Sequence, residues 1–411
     1  MARRYLFLLL GFLITSISFA ADPVRRVIRE NIEWLDVWVP GNNNHEMPKV
    51  LLIGDSITRG YFKEVEDRLK GQFVVCRLTT SKSVGDPGLI AEVNLVLSQS
   101  HFDVVHFNNG LHGWDYTEEE YAKALPELVT AIRKGAPGAK LIWASTTPVR
   151  VADKLETISE KTERVQARNA IAAKLMATEK MVVNDLFSLL ADKSEWYSRD
   201  GVHLNAKGTT ALGTQVAEML KPKSLFDGKT FTGWEGDTEK TWRIEDGAIV
   251  AGSLTVQVPR NDFLTYQSEF ENFELRTKYK LEGTEGFVNG GIQIRSRRIP
   301  KDHEMIGYQA DLGKGFDGAL YDESRRKKVL AQPSKEVLEK ALKKEDWNDY
   351  RIRCEGKRIQ LWLNGIQTVD YTEPDQTLVQ KGLIGLQIHG NCKAIVRYKD
   401  ITIMELPATK E

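Results

Sequence analysis

Two short motifs hold the residue types that ester hydrolysis needs. Gly54-Asp55-Ser56-Ile57-Thr58 directly follows the apolar run Val50-Leu51-Leu52-Ile53, so a serine is expected at a strand-to-helix turn. A helix N-terminus at that point stabilises negative charge beside the hydroxyl. A serine hydroxyl is a weak nucleophile until a base takes its proton. Asp200-Gly201-Val202-His203 can supply that base, because the Asp-x-x-His spacing lets a carboxylate orient the imidazole within one turn. Taken singly, a serine here could be a helix cap and a histidine a packed side chain. Their order along the chain favours Ser56 as nucleophile, His203 as general base and Asp200 as its orienter.

These residues need a frame that brings them together. Short apolar runs at 50–53, 73–78, 104–107, 141–145 and 181–183 read as strands. Between and after them, 62–69, 89–97, 118–134, 160–178 and 205–220 carry helical spacing. Strands alternating with helices predict a parallel sheet wrapped on both faces, with ligands at the carboxyl ends of the strands. A polar lead-in, residues 21–47, precedes this domain and carries Trp34 and Trp38, which are expected to pack on it.

Over about 50–220 the chain resembles the SGNH/GDSL hydrolase family. Gly54-Asp55-Ser56 is similar to its first block and Asp200-x-x-His203 to its last. The resemblance implies a flavodoxin-like three-layer α/β domain, placed at 48–221. It also implies an oxyanion hole built from the Ser56 amide, a glycine amide of the second block and an asparagine side chain of the third. Gly85, in Ser81-Lys82-Ser83-Val84-Gly85-Asp86, resembles the second-block glycine. The third block departs from the family's Gly-x-Asn-Asp: here the strand is followed by Asn108-Asn109-Gly110-Leu111-His112-Gly113. Aligning Gly110 with the family glycine puts His112 in the asparagine position, where a ring N–H can donate. Alternatively, Asn108 or Asn109 turns inward and donates.

Lys221-Pro222-Lys223-Ser224 marks a boundary, and after it the pattern alternates in period two. Segments 273–279, 291–295, 350–354 and 359–363 are examples, with Asn364-Gly365 as a hairpin turn. Many short alternating strands predict an all-β sandwich. Only 334–344 reads as a helix. Residues 224–406 are similar to the 3-keto-disaccharide hydrolase domain family, on Phe226-Asp227-Gly228, Trp242-Arg243-Ile244-Glu245-Asp246-Gly247, Asn289-Gly290-Gly291 and Gly385-Leu386-Gln387-Ile388-His389-Gly390 among others. That resemblance implies a concanavalin-like jelly roll. Alternation puts Gln293 and Arg295 on one face, with Gln309 and Asp311 on a neighbouring strand and Gln387 and His389 near the end. Such a face suits hydrogen bonding to sugars, although a polar face is also the default for an alternating strand.

Composition bounds the rest. The 411 residues carry 28% charged and 41% hydrophobic side chains and a formal net charge of zero, so no nucleic-acid or anionic-membrane partner is implied. Arg3 and Arg4, the apolar run Tyr5 to Ile17 and the small residues around Ala20 read as a signal peptide over 1–20, and predict an exported protein with no later membrane span. Three cysteines, Cys76, Cys354 and Cys392, are too few for a disulfide framework. Cys354 and Cys392 could pair, but buried thiols are the plainer reading. No metal spacing and no cofactor motif is found, and the oligomeric state is left open. The expected substrate is an acylated carbohydrate. The rival readings are a degenerate hydrolase in a glycan-binding protein, or a 3-keto-glycoside hydrolase as the main activity.

Overall fold

The computed structural model describes residues 26–43 and 47–406, so the expected signal peptide lies outside the described residues. The first part contains, in order, β1 (Leu35–Trp38), β2 (Lys49–Gly54), α1 (Ser56–Arg68), β3 (Val74–Thr80), α2 (Pro87–Leu97), β4 (Val104–Phe107), α3 (Glu118–Gly135) and β5 (Lys140–Ala144). There follow β6 (Arg150–Val151), β7 (Lys154–Ile158), α4 (Lys161–Thr178), β8 (Val182–Asn184), α5 (Leu186–Leu190) and α6 (Ala206–Leu220).

The sheet order is β1-β3-β2-β4-β5-β8. Every pairing is parallel except that of β1 with β3. Without β1 this is the flavodoxin-like order, in which the strand sequence reverses between β2 and β4. β2 is buried throughout, and its side chains divide between two cores. Leu51 and Ile53 face the layer holding α2 and α3, whereas Val50 and Leu52 face α1 and α6. Helices on both faces explain why these strands are unbroken apolar runs.

The second part contains β9 (Lys223–Ser224), β10 (Trp234–Glu235), β11 (Trp242–Glu245), β12 (Ala248–Gly252), β13 (Asp262–Phe270), β14 (Phe273–Gly286), β15 (Asn289–Arg298) and β16 (Met305–Gly313). It continues with β17 (Leu320–Glu323), β18 (Lys328–Ala331), α7 (Lys335–Ala341), β19 (Asn348–Glu355), β20 (Arg358–Leu363), β21 (Ile366–Thr372), β22 (Gly382–Ile388) and β23 (Cys392–Glu405). Two antiparallel sheets, β10-β13-β22-β15-β16-β17-β18 and β11-β12-β23-β14-β19-β20-β21, enclose one hydrophobic core. The result is a β-sandwich consistent with a jelly roll. Cys354 and Cys392 are buried and unpaired, which settles the open disulfide question.

Two features tie the parts together. Met404 and Leu406, at the end of the chain's last strand, pack into the core of the first domain. Beside them Arg353 reaches across, with Nη1 3.3 Å from Asp103 Oδ1 and Nη2 3.2 Å from the Gly138 carbonyl. No helix among the described residues is long and apolar enough to cross a membrane.

Candidate active site

β2 delivers Ser56 to the first turn of α1, at the point where the strand order reverses. Asp55 is the N-cap: its side chain accepts the Ile57 N–H at 2.9 Å, which fixes the turn that presents the serine.

The partner loop is built just as tightly. Gly201 has φ 71°, and a Cβ there would lie 2.2 Å from the Arg150 carbonyl oxygen. Only glycine fits. The Arg150 N–H donates to the Gly201 carbonyl and the Ser198 N–H to the His203 carbonyl, at 2.7 and 2.8 Å. Asn205 then caps α6 by accepting from Lys207 and Gly208. In this frame Asp200 Oδ1 accepts the Val202 and His203 N–H groups, each at 2.9 Å. Oδ2 is left to accept His203 Nδ1–H at 2.6 Å, and His203 Nε2 lies 2.8 Å from Ser56 Oγ.

Burial works to raise the Asp200 carboxyl, but the His203 ring and the two backbone N–H groups outweigh it and hold it below the usual range. An ionised Asp200 accepting Nδ1–H leaves the Nε2 lone pair facing the serine hydroxyl, the arrangement proton abstraction requires. Beside the serine, a cavity of about 60 Å³ is lined by Ile57, Gly60, Tyr61, Leu204, Thr209 and Leu212.

The loops expected to hold the oxyanion donors lie side by side. A Cβ on Gly85 would meet the Tyr116 ring at 2.7 Å, so this position requires glycine for close approach. The Gly85 N–H donates to Ser83 Oγ at 3.0 Å. Asn109 spans the two loops: its Oδ1 accepts the Val84 N–H at 2.8 Å and its Nδ2 donates to the Lys82 carbonyl at 2.9 Å. Asn108 turns into the domain, where Nδ2 donates to the Ala144 carbonyl and to Thr146 Oγ1. Both of its amide hydrogens are thereby used.

His112 is turned the other way. Its Nδ1 is 3.3 Å from Glu30 Oε1, on the lead-in, and Glu30 Oε1 also accepts the Gly113 N–H at 3.1 Å. Motif reasoning did not single out Glu30, because a contact between distant positions leaves no local signal. It also missed Arg168. This buried guanidinium donates to the carbonyls of Gly110, His112 and Gly113 and so holds the third loop in place. A charged residue inside a helical pattern carries no mark of such a duty. Trp34 packs on the domain as expected, but Trp38 is 51% exposed.

In the sandwich Gln293, Gln309, Asp311 and Gln387 are buried. Asn289 and Gln309 both donate to Asp311 Oδ1, and Gln293 donates to Gln309 Oε1. Burial pushes the Asp311 carboxyl up to about 8, against these donors. Gln387 has 0% exposure, and among the described residues neither its Oε1 nor its Nε2 has a hydrogen-bond partner. His389 is half-buried, its ring centre 4.7 Å from that of Phe287 in an edge-on arrangement. Arg295 is not part of this row. β15 shifts register between Ile294 and Arg297, and Arg295 itself has φ 49°, so strict alternation fails there. Its guanidinium is spent on Glu271, Gly356, Asn272 and Gln380.

Comparison with known proteins adds the following. Residues 52–211 match the family described as GDSL-like Lipase/Acylhydrolase, and residues 221–404 match the 3-keto-alpha-glucoside-1,2-lyase-like domain. No curated protein matches the chain. Among solved structures, an acetyl xylan esterase is 21% identical over 42% of this chain and 100% of its own, with a TM-score of 0.37. A carbohydrate esterase of family 3 from Talaromyces cellulolyticus is 17% identical over 42% of this chain and 96% of its own, at 0.37. A putative glycosyl hydrolase from Parabacteroides distasonis is 23% identical over 45% of this chain and 99% of its own, at 0.34.

Proposed function

We propose that this chain, which carries a GDSL-like acylhydrolase domain followed by a 3-keto-alpha-glucoside-1,2-lyase-like domain, is an exported serine esterase that removes short acyl groups from carbohydrate. The first of these domains makes the chain a carboxylic ester hydrolase. The observation that carries the proposal is the unbroken hydrogen-bonded line Ser56–His203–Asp200.

In the proposed reaction Ser56 Oγ attacks the ester carbonyl as His203 Nε2 takes its proton. The tetrahedral intermediate collapses, His203 returns the proton to the leaving alcohol, and an acyl-serine remains. Water, deprotonated by His203, then releases the acid. Asp200 holds the ring's orientation and stabilises the imidazolium formed in each half-reaction. The oxyanion is received by the Ser56 N–H, the Gly85 N–H in place of its bond to Ser83, and the second Nδ2 hydrogen of Asn109. Asn109 is preferred because it lies against the loop that carries Gly85, while both Asn108 hydrogens are used elsewhere.

The small cavity beside Ser56 favours acetyl over long acyl chains. A glucoside-related second domain favours a sugar as the alcohol. Rates on p-nitrophenyl esters test the acyl preference: kcat/KM should be greatest for acetate and fall steeply by octanoate. Equal rates along the series would overturn it.

A second reading rests on Gln387. A fully buried amide with both atoms unpaired is costly unless a ligand satisfies it. We assign Gln293, Gln309, Asp311 and Gln387, with His389 on the same strand end, to binding of a glycoside by the second domain.

A further inference from the structure

The lead-in is fastened beside the esterase site more firmly than a linker requires. β1 pairs with the edge of β3 over Leu35–Trp38, and the Trp34 N–H donates to Ser81 Oγ at 3.0 Å. Arg29 forms an ion pair with the buried Asp86 at 2.8 Å, and Lys82 one with Glu33 at 2.8 Å. These contacts place residues 28–34 across the two loops that follow β3 and β4. Arg59, one turn beyond Ser56 on α1, lies 4.5 Å from the centre of the Trp34 ring. The centre of that ring is 6.4 Å from the centre of the His112 ring, with the two planes at 73°. Trp34 therefore bridges from the serine's own helix to the histidine.

The polarity of His112 follows from Glu30. A carboxylate oxygen only accepts, so Nδ1 donates to it, and a neutral ring so fixed presents Nε2 as an acceptor. No protein group among the described residues hydrogen-bonds that nitrogen, and the side chain keeps 22% exposure. An acceptor is the wrong partner for an oxyanion and the right one for a hydroxyl.

We propose that the lead-in completes the esterase site as its alcohol subsite, in which His112 Nε2 accepts a free hydroxyl of the substrate and Trp34 forms the wall beside it. Glu30 is a positioning residue that fixes which ring nitrogen carries the proton. The subsite selects partly acylated sugars, which keep a hydroxyl next to the ester. The inference rests on Ser56 being the esterase nucleophile.

The test uses the full chain and two substrates: a mono-O-acetylated methyl glycoside and p-nitrophenyl acetate, whose alcohol has no second hydroxyl. Glu30→Ala removes the acceptor that holds Nδ1–H, so nothing fixes the ring's proton on Nδ1 and Nε2 is no longer held as an acceptor. Glu30→Ala and His112→Leu should each lower kcat/KM for the sugar ester about tenfold more than for p-nitrophenyl acetate, chiefly through KM. If both substrates lose kcat alike, His112 serves the oxyanion and the inference is overturned. No change on either substrate also overturns it. If His112→Leu fails to fold, Glu30→Ala alone decides. A wild-type protein inactive on both esters would instead refute the esterase reading beneath it.

Discussion

Asn108 and Asn109 are neighbours with opposite duties. Asn108 spends its amide inside the domain, on Ala144 and Thr146. Asn109 spends one amide hydrogen on Lys82, and its second is the one proposed for the oxyanion. Asn109→Ala should therefore lower kcat by about 10² to 10³ with KM little changed, as expected for a donor that acts on charge developing in the transition state. Asn108→Ala should act on stability, costing about 1–3 kcal/mol because the Ala144 carbonyl loses its donor. Steady-state kinetics and denaturant titration on the two variants separate these outcomes, and an exchange of the two phenotypes would refute the assignment. At this scale Ser56, Asp200 and His203 were legible because each motif is local. What separates Asn108, Asn109 and His112 was not, because the three stand within five positions and only tertiary contacts distinguish them.

The short loop Asp200–His203 carries the proposed base, and one glycine decides its path. Gly201→Ala adds a Cβ that collides with the Arg150 carbonyl at a backbone angle that disfavours side chains. The loop must then move, and the line from His203 to Ser56 with it. We expect kcat on p-nitrophenyl acetate to fall at least about 100-fold, since misplacing a catalytic group by about 1 Å costs that much. Far-ultraviolet circular dichroism should stay unchanged. An active Gly201→Ala enzyme would show that the loop tolerates the shift. Among elements, the parallel strands and their helices were readable from apolar runs and helical spacing. The pairing of β1 with β3 was not, since Leu35-Asp36-Val37-Trp38 is too short and too exposed to carry a core pattern. The irregularity in β15 was also invisible, so alternation put Arg295 beside Gln293 when its contacts lie elsewhere.

The two domains meet around charge. Asp103 and Glu274, each 3% exposed, share the guanidinium of Arg353, with Arg351 alongside. Burial alone would raise both carboxyls. His101, the Lys49 N–H and Arg351 hold Asp103 below the usual range, and Arg351 and Arg276 do the same for Glu274. Their contribution to stability is complete above the unfolded carboxyl values of about 4 and is lost as pH falls through the lower folded values. Arg353→Leu leaves two buried carboxylates short of a partner and should destabilise the protein by about 3 kcal/mol at pH 7. The difference from wild type should shrink below about pH 4, where the carboxyls protonate. Urea midpoints at pH 7 and pH 3.5 measure this, and an equal or larger difference in acid would contradict it. The change of period near Lys221–Ser224 is a local feature of the sequence. The interface was not legible, because nothing local pairs position 103 with position 353.

The central claim is that Ser56 is an activated nucleophile, and labelling of the whole protein with a fluorophosphonate tests it most directly. Intact-mass analysis after brief exposure should show one adduct, and peptide mapping should place it on Ser56. Ser56→Ala should take no label, and His203→Ala should label far more slowly, because the base that activates the serine is gone. A wild-type protein that stays unmodified, or a Ser56→Ala protein that still takes the label at the wild-type rate, would contradict the account.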